Sequence, residues 1–276
     1  MSHPTAADRK ATLPTIDALE LLDVARAVAA EAGALAADMR STGISVQSTK
    51  SNQLDIVTQA DTAVEALIRE RLTSARPVDG FLGEETGETA GASGITWIVD
   101  PIDGTVNYLY GSPYYAVSIA ATVQEGNGRR TSLAGCVHAP ALSVTYTAAI
   151  GHPARLDDRP VLVNAKVPLE KALVSTGIPY DLAQRARVLE TIAALTPRIR
   201  DLRLVGAASL EICGVAEGRT DAHFQRGLPA WDYAAAALIA AQAGADVRGA
   251  SGGPPGNELL LIADRQLADE LDPLLV

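Results

Sequence analysis

Residues 97–111 read WIVDPIDGTVNYLYG, an apolar run halted by two aspartates that bracket a proline and are closed by Gly104 and Thr105. Asp, Pro and Gly are ordinary turn residues, so D-P-x-D-G reads locally as a strand ending in tight turns. The charges ask for more. Carboxylates set beside Trp97, Ile98 and Val99 at the edge of a core need donors or cations to offset their desolvation. A bound cation is the sharper reading.

The chain is large enough to bury such a site. At 276 residues it exceeds the usual size of a single core, which predicts one large layered domain or two closely packed lobes. Hydrophobic residues make up 47% of it and aromatic ones only 4%, so Ala, Val, Leu and Ile must form the core. No apolar run approaches the roughly 18 residues of a membrane span. The N-terminal MSHPTAADRKATLP lacks the apolar segment of a signal peptide. A cytoplasmic setting, with residues 1–14 as a flexible tail, is the expectation. Cys136 and Cys213 stand singly in LAGCVHAP and LEICGVAE and read as buried reduced thiols. A net charge of −10 without a basic run argues against nucleic acid as a partner. It admits a phosphorylated substrate if divalent cations turn an acidic cleft into an anion site.

Apolar positions Leu19, Leu22, Val24 and Val28 predict a helix from Thr15 to about Met39, and Val64, Leu67, Ile68 and Leu72 predict a second. ITWIVD, YAVSIAATVQEG, SLAGCVHAP and SVTYTAAIG read as strands, with GNGR at 126–129 as a hairpin turn. Residues 15–150 are thus expected to form a lobe of helices on a mostly antiparallel sheet. Over 151–276, strand-like ALVSTG, LRLVG and DAHFQ alternate with helical DLAQRARVLETIAALTPRI, SLEICGVAEG and WDYAAAALIAAQAG, before ELLLIAD and RQLADELDPLL. That is the pattern of an α/β lobe.

On this map the acidic residues with a chemical reading form groups. Asp61 lies at or just before a helix start in LDIVTQADTAVE, and Asp232 begins another in AWDYAAA. Glu84 and Glu85 occupy a loop in FLGEETGE, and Asp100 and Asp103 belong to DPIDGT. Singly, Asp61 and Asp232 read equally well as N-caps, and the glutamate pair as a solvated loop. Their occurrence together points to chemistry. The four histidines show no metal-ligand or triad spacing, and neither a P-loop nor a G-x-G-x-x-G is present.

GEE at 83–85, WIVDPIDGTVN at 97–107 and WDYAAA at 231–236, preceded by DIVTQAD at 55–61, give the chain its resemblance to a known family. It resembles the inositol monophosphatases, magnesium-dependent and lithium-sensitive sugar and inositol phosphatases. The five specified letters of D-P-x-D-G-T recur by chance in such a chain with odds on the order of one in ten thousand, so coincidence is negligible. VSTGIPYD at 174–181 further resembles the bacterial inositol-1-monophosphatase branch, with Ile178 in place of its usual aromatic residue.

The resemblance implies a layered αβαβα sandwich, commonly a homodimer, with a cleft between the antiparallel-sheet lobe and the α/β lobe. It implies two to three Mg²⁺ ions. Glu84, Asp100 and the Ile102 carbonyl would hold one; Asp100, Asp103 and Asp232 a second, with Asp100 bridging; a third would lean on Glu84. A water activated by metal would be oriented by Thr105 with Asp61 behind it, Thr58 and Glu85 supporting the network. Backbone amides of Gly104 and Thr105 would meet the phosphate, and Lys50 stands where a family lysine often precedes D-x-V-T.

Substrate choice falls to other residues: GAAS at 206–209 with Ala208, FQRGLPAWD, and the TGIPY loop. Seven residues before Asp232 the family usually has a glutamate that binds substrate hydroxyls; here it is Gln225. The expected substrate is a small phosphorylated polyol, myo-inositol 1-phosphate first. Histidinol phosphate, fructose 1,6-bisphosphate and 3′-phosphoadenosine 5′-phosphate are alternatives, since the metal residues do not separate them. A reading of another class is a regulatory binding protein of the transcription machinery.

Overall fold

The computed structural model describes residues 17–43, 46–49, 56–126 and 128–275; the tail at 1–14 and Lys50 lie outside the described residues. Helix α1 (Ala18–Thr42) is capped by the Asp17 carboxylate and buries Leu21, Ala25, Val28, Ala29, Ala32 and Ala36 along one stripe. A ribbon of β1 (Val46–Thr49) and β2 (Ile56–Thr58) leads into α2 (Gln59–Ala75), whose apolar stripe is Val64, Ile68 and Leu72.

The larger sheet has eight strands: β3 (Gly80–Gly83), β4 (Gly87–Thr89), β5 (Ile95–Asp103), β6 (Ala116–Gln124), β7 (Arg130–Ala139), β8 (Val144–Ala149), β9 (Arg155–Leu156) and β10 (Arg159–Pro160). A short helix, α3 (Thr105–Leu109), separates β5 from β6. The spatial order is β10-β9-β8-β7-β6-β5-β3-β4. All neighbours are antiparallel except β3 and β5, which run parallel because β4 lies beyond β3 at the edge. The β9–β10 hairpin, beyond residue 150, still belongs to this sheet.

The smaller sheet follows, with strands β11 (Leu173–Thr176), β12 (Asp201–Arg203), β13 (Ala222–Gln225), β14 (Asp246–Arg248) and β15 (Leu260–Ala263). Helices α4 (Leu182–Leu195), α5 (Ala208–Ala216), α6 (Ala230–Gln242) and α7 (Arg265–Leu275) intervene or follow. Its order is β12-β11-β13-β15-β14, with β11 parallel to both neighbours and β15 antiparallel to both of its own. The sheet is therefore mixed. Strand β14 escapes a sequence reading, since DVR is three half-buried residues with no apolar run.

Three cores hold five layers together. Helices α1 and α2 cover one face of the larger sheet through Leu21, Ile68, Trp97, Ile119 and Cys136. Helices α5 and α6 fill the space between the sheets, with Ile98, Val137, Ile212, Ile239 and Ile262 meeting there. Helix α7 closes the outer face of the smaller sheet over Val174, Phe224 and Leu261. The result is an αβαβα sandwich, and Cys136 and Cys213 are buried free thiols within it.

The middle layer tolerates no extra volume where α6 crosses β7. A Cβ on Gly135 would stand 2.8 Å from the Ala235 carbonyl oxygen and 3.0 Å from its Cα, both main-chain atoms. Gly135→Ala is expected to destabilise the protein by about 1–3 kcal/mol through overpacking, read as a lower urea midpoint; an unchanged midpoint would mean that α6 can shift at no cost.

Candidate active site

The strand β5 does not end at Asp100. Pairing with β6 runs to Asp100↔Ser118 and resumes at Asp103↔Ala116, so one extra residue is accommodated on β5 and the D-P-I-D segment is a bulge within the strand rather than a terminating turn. The Asp100 carboxylate accepts the Ile102 N–H at 3.0 Å across the bulge. Gly104 then adopts φ 89°, ψ 40° and caps α3, a left-handed position that glycine occupies without strain. Bulge and cap aim Asp100, Asp103 and Thr105 at one cleft.

That cleft has a volume of about 670 Å³ and lies between the two sheets. Glu84, Asp100, Ile102, Asp103, Gly104, Thr105, Ala208, Gln225 and Asp232, from five separate stretches of chain, all line it. Glu84 follows β3, with its N–H donating to the Val99 carbonyl at 3.2 Å. Asp232 is not an N-cap: Pro229 holds that place on α6, and Asp232 sits in the first turn, where a carboxylate complements the helix dipole.

Asp61, Thr58 and Glu85 are absent from the lining residues. Asp61 is not the N-cap of α2 either; Thr58 is, and Asp61 closes a capping box with it. Its Oδ2 accepts the Thr58 N–H at 2.8 Å and hydroxyl at 2.6 Å. Its Oδ1 lies 3.3 Å from the Thr105 hydroxyl, which also lies 3.1 Å from the Ile102 carbonyl. A hydroxyl has one proton to give. When Thr105 donates it to Asp61, the Thr105 oxygen is left as an acceptor facing the cleft. Glu85 enters through its backbone, whose N–H donates to the Glu65 carboxylate at 2.8 Å.

Electrostatics set this cleft apart. Burial pushes the Asp100 carboxyl well above its usual range, and the neighbouring Glu84, Asp103 and Asp232 push it further. Burial also raises Asp103, but donors from α5 oppose the shift. Asp103 accepts the Ala208 N–H at 3.1 Å, the Ser209 N–H at 2.7 Å and the Ser209 hydroxyl. Three of its roughly four lone-pair sites are thereby used. The one cationic side chain among the described lining residues is Arg226, and its guanidinium donates to the Glu258 and Leu275 carbonyls.

The donor set suits a hard divalent cation: carboxylate and carbonyl oxygens, crowded and without a neutralising base among them. Among the described residues no three such side chains converge to an ion-holding group as they stand.

The cleft's lining includes a buried acid that sequence reading missed. Glu211 of α5 is buried, and its Oε1 accepts the Val205 and Gly206 N–H groups. Burial raises its carboxyl to about 8, only partly opposed by those amides. Its Oε2 is 3.4 Å from Nδ1 of His223, whose pKa burial lowers to about 3. At neutral pH both are uncharged, so the contact is not an ion pair. His223 Nδ1 is also 3.0 Å from the Ser175 hydroxyl. The available signal was Glu211 standing inside the apolar run LEICGVA.

The chain matches the inositol monophosphatase family over residues 17–274. It is 41% identical over 279 residues to an inositol-1-monophosphatase of Mycobacterium bovis, with 94% of each chain covered. The extragenic suppressor protein suhB of Bartonella henselae superposes with a TM-score of 0.85 at 32% identity, over 93% of this chain and 98% of that one. A Vibrio cholerae relative described as Nus factor SuhB is 33% identical over 235 residues, covering 84% of this chain and 86% of its own. No helix among the described residues is long and apolar enough to cross a membrane.

The Glu211 titration has a defined sign. A free glutamate titrates near 4.3, so between about 4.3 and 8 the folded chain holds a proton that the unfolded chain has released, and stability falls as pH rises through that window. Glu211→Gln keeps an acceptor for Val205 and Gly206 but does not titrate. Its melting temperature relative to the parent should climb by more than about 3 °C between pH 5 and pH 8.5; a pH-independent difference would show that Glu211 is ionised in the fold.

Proposed function

The chain belongs to the inositol monophosphatase family, a metal-dependent family of phosphoric monoester hydrolases, and from that premise we propose that it hydrolyses a small phosphorylated polyol, myo-inositol 1-phosphate first among them, with Mg²⁺. One observation carries the reading: Asp100 is buried among Glu84, Asp103 and Asp232, and the one lining cation among the described residues, Arg226, is spent on carbonyls elsewhere. Such a cleft repels a phosphate dianion until cations fill it.

Glu84, Asp100 and the Ile102 carbonyl would hold one ion, and Asp100, Asp103 and Asp232 a second; a third would draw on Glu84. Bound there, the ions neutralise phosphoryl charge and make water acidic enough to attack at neutral pH. The chain's own residues do the remaining work. The Thr105 hydroxyl donates a hydrogen bond to Asp61, so the Thr105 oxygen accepts from the attacking water and orients it. Gly104, free of a side chain, lets the phosphate approach the main chain at Gly104 and Thr105. Thr58 fixes Asp61 in turn, and Glu85 anchors the turn behind Glu84.

Gln225 is the proposed selector. Its buried Oε1 has no hydrogen-bond partner among the described residues, and its amide packs where Gly177 lacks a Cβ. The oxygen can accept from a substrate hydroxyl while the nitrogen donates, which widens the range of polyols beyond what a carboxylate would take. Ala208, in the same cleft, leaves room for the ring. A homodimer, lithium inhibition and a cytoplasmic setting belong to the same proposal and are drawn from the family.

A second reading, binding to the transcription machinery, draws on the relative described as a Nus factor. A protein that only binds has no use for carboxylates gathered in one cleft, so the enzymatic reading is preferred.

The test is phosphate release by the metal-stripped and Mg²⁺-loaded protein from inositol 1-phosphate, glycerol 2-phosphate, fructose 1,6-bisphosphate, histidinol phosphate and 3′-phosphoadenosine 5′-phosphate. We expect release only with metal, polyol phosphates within roughly tenfold of one another in kcat/KM, and a sharper preference for inositol 1-phosphate in Gln225→Glu. Full turnover after stripping would end the metal reading, and a hundredfold preference for histidinol phosphate or the adenosine compound would replace the substrate. Thr105→Ala should lower kcat by at least about tenfold with KM little changed, because its hydroxyl acts on the attacking water; a loss confined to KM would reassign it to substrate binding.

A further inference from the structure

We propose that Glu65 is a positioning residue, whose buried carboxylate clamps the turn bearing Glu84 and so sets the affinity of the cleft for metal. The proposal rests on the reading that Glu84 holds an ion. Glu65 lies on α2 and is fully buried, an unusual place for an acid on a helix face otherwise occupied by Val64, Ile68 and Leu72. The cost of burying it is offset by three donors from two consecutive residues. Oε2 accepts the Glu85 N–H at 2.8 Å; Oε1 accepts the Thr86 N–H at 2.9 Å and the Thr86 hydroxyl at 2.5 Å.

These bonds complete a two-sided grip on Glu84. On its N-terminal side, the β3–β5 ladder continues into the Glu84 N–H donating to Val99. On its C-terminal side, Glu65 holds the next two amides. The glycine of G-E-E belongs to the same device. A Cβ on Gly83 would stand 2.5 Å from Glu65 Cδ and Oε2, so Gly83 leaves the space the clamp occupies. Arg69 adds a brace, donating to the Thr86 hydroxyl and, at 3.2 Å, to the Thr89 hydroxyl, with its guanidinium 4.0 Å from the centre of the Phe81 ring.

Asp61, Glu65 and Arg69 are spaced four residues apart and share one side of α2. One helix thus orders both Thr105, through Asp61, and the Glu84 turn, through Glu65 and Arg69. No metal contact is required of Glu65. A carboxylate is required, because both oxygens must accept: in Glu65→Gln one end of the amide presents N–H to a backbone N–H.

The experiment titrates metal-free protein with MgCl₂, without phosphate or substrate, following binding by calorimetry and the rise in melting temperature. It compares the parent with Glu65→Gln, Thr86→Val, Glu84→Gln and the Glu65→Gln/Glu84→Gln double variant. Glu65→Gln should weaken Mg²⁺ binding about tenfold, the scale of losing a group that orients a ligand. Thr86→Val, missing one donor of three, should weaken it less, and the double variant should bind no worse than Glu84→Gln. If Glu65→Gln lowers the melting temperature of the metal-free protein but keeps parental Mg²⁺ affinity while Glu84→Gln loses it, Glu65 is only structural and the proposal is overturned. If Glu84→Gln itself binds Mg²⁺ as the parent does, the reading of Glu84 beneath it fails instead. Should Glu65→Gln not fold, Thr86→Val decides: parental affinity there also overturns the clamp.

Discussion

The carboxylate of Asp103 accepts three hydrogen bonds from the first turn of α5, and through them a bulged strand of the larger sheet is tied to a helix that packs against the smaller one. Helix α5 has no side-chain cap of its own, so Asp103 supplies the acceptor that its exposed amides need. The helix in return makes a buried carboxylate tolerable. Each half of the cleft is incomplete without the other, and the cleft's walls are therefore set by a single polar contact between residues more than a hundred positions apart.

Around that contact the molecule gathers more negative charge than its own donors can satisfy. Asp100 is raised by burial and by three neighbouring acids, whereas the carboxylates of α2 are settled within the chain: Asp61 by Thr58 and Thr105, Glu65 by Glu85 and Thr86. The division is physical. The two acids of α2, absent from the cleft's lining, are bonded within the fold, whereas Asp100, which lines it, keeps the repulsion of its neighbours.

Several of these roles were legible as letters. D-P-x-D-G-T, G-E-E and W-D named Asp100, Asp103, Glu84 and Asp232, and the structure brings all four to one cleft. The local geometry attached to them needed correction: the D-P-I-D segment is a bulge and not a turn, and Asp61 and Asp232 lie inside their helices and not at the caps. Local propensity sees aspartate, proline and glycine as turn-formers, but β6 pairs on both sides of the interruption and keeps the strand whole. Glu65 and Glu211 went unread because a single acid in an apolar stripe looks like a solvated position until its partner is known.

What the sequence determined by itself is the longer elements and the grouping of the acids: apolar periodicity is local, and the hard oxygen donors stand together in short motifs. What only the tertiary structure decided is which groups meet. The mixed order β12-β11-β13-β15-β14, the tie from Asp103 to α5, and the reach of α2 to both Thr105 and the Glu84 turn join residues far apart in the chain. Such pairings depend on how sheets stack and helices cross, and hydrogen-bond geometry within about 3 Å is fixed only once that packing is complete.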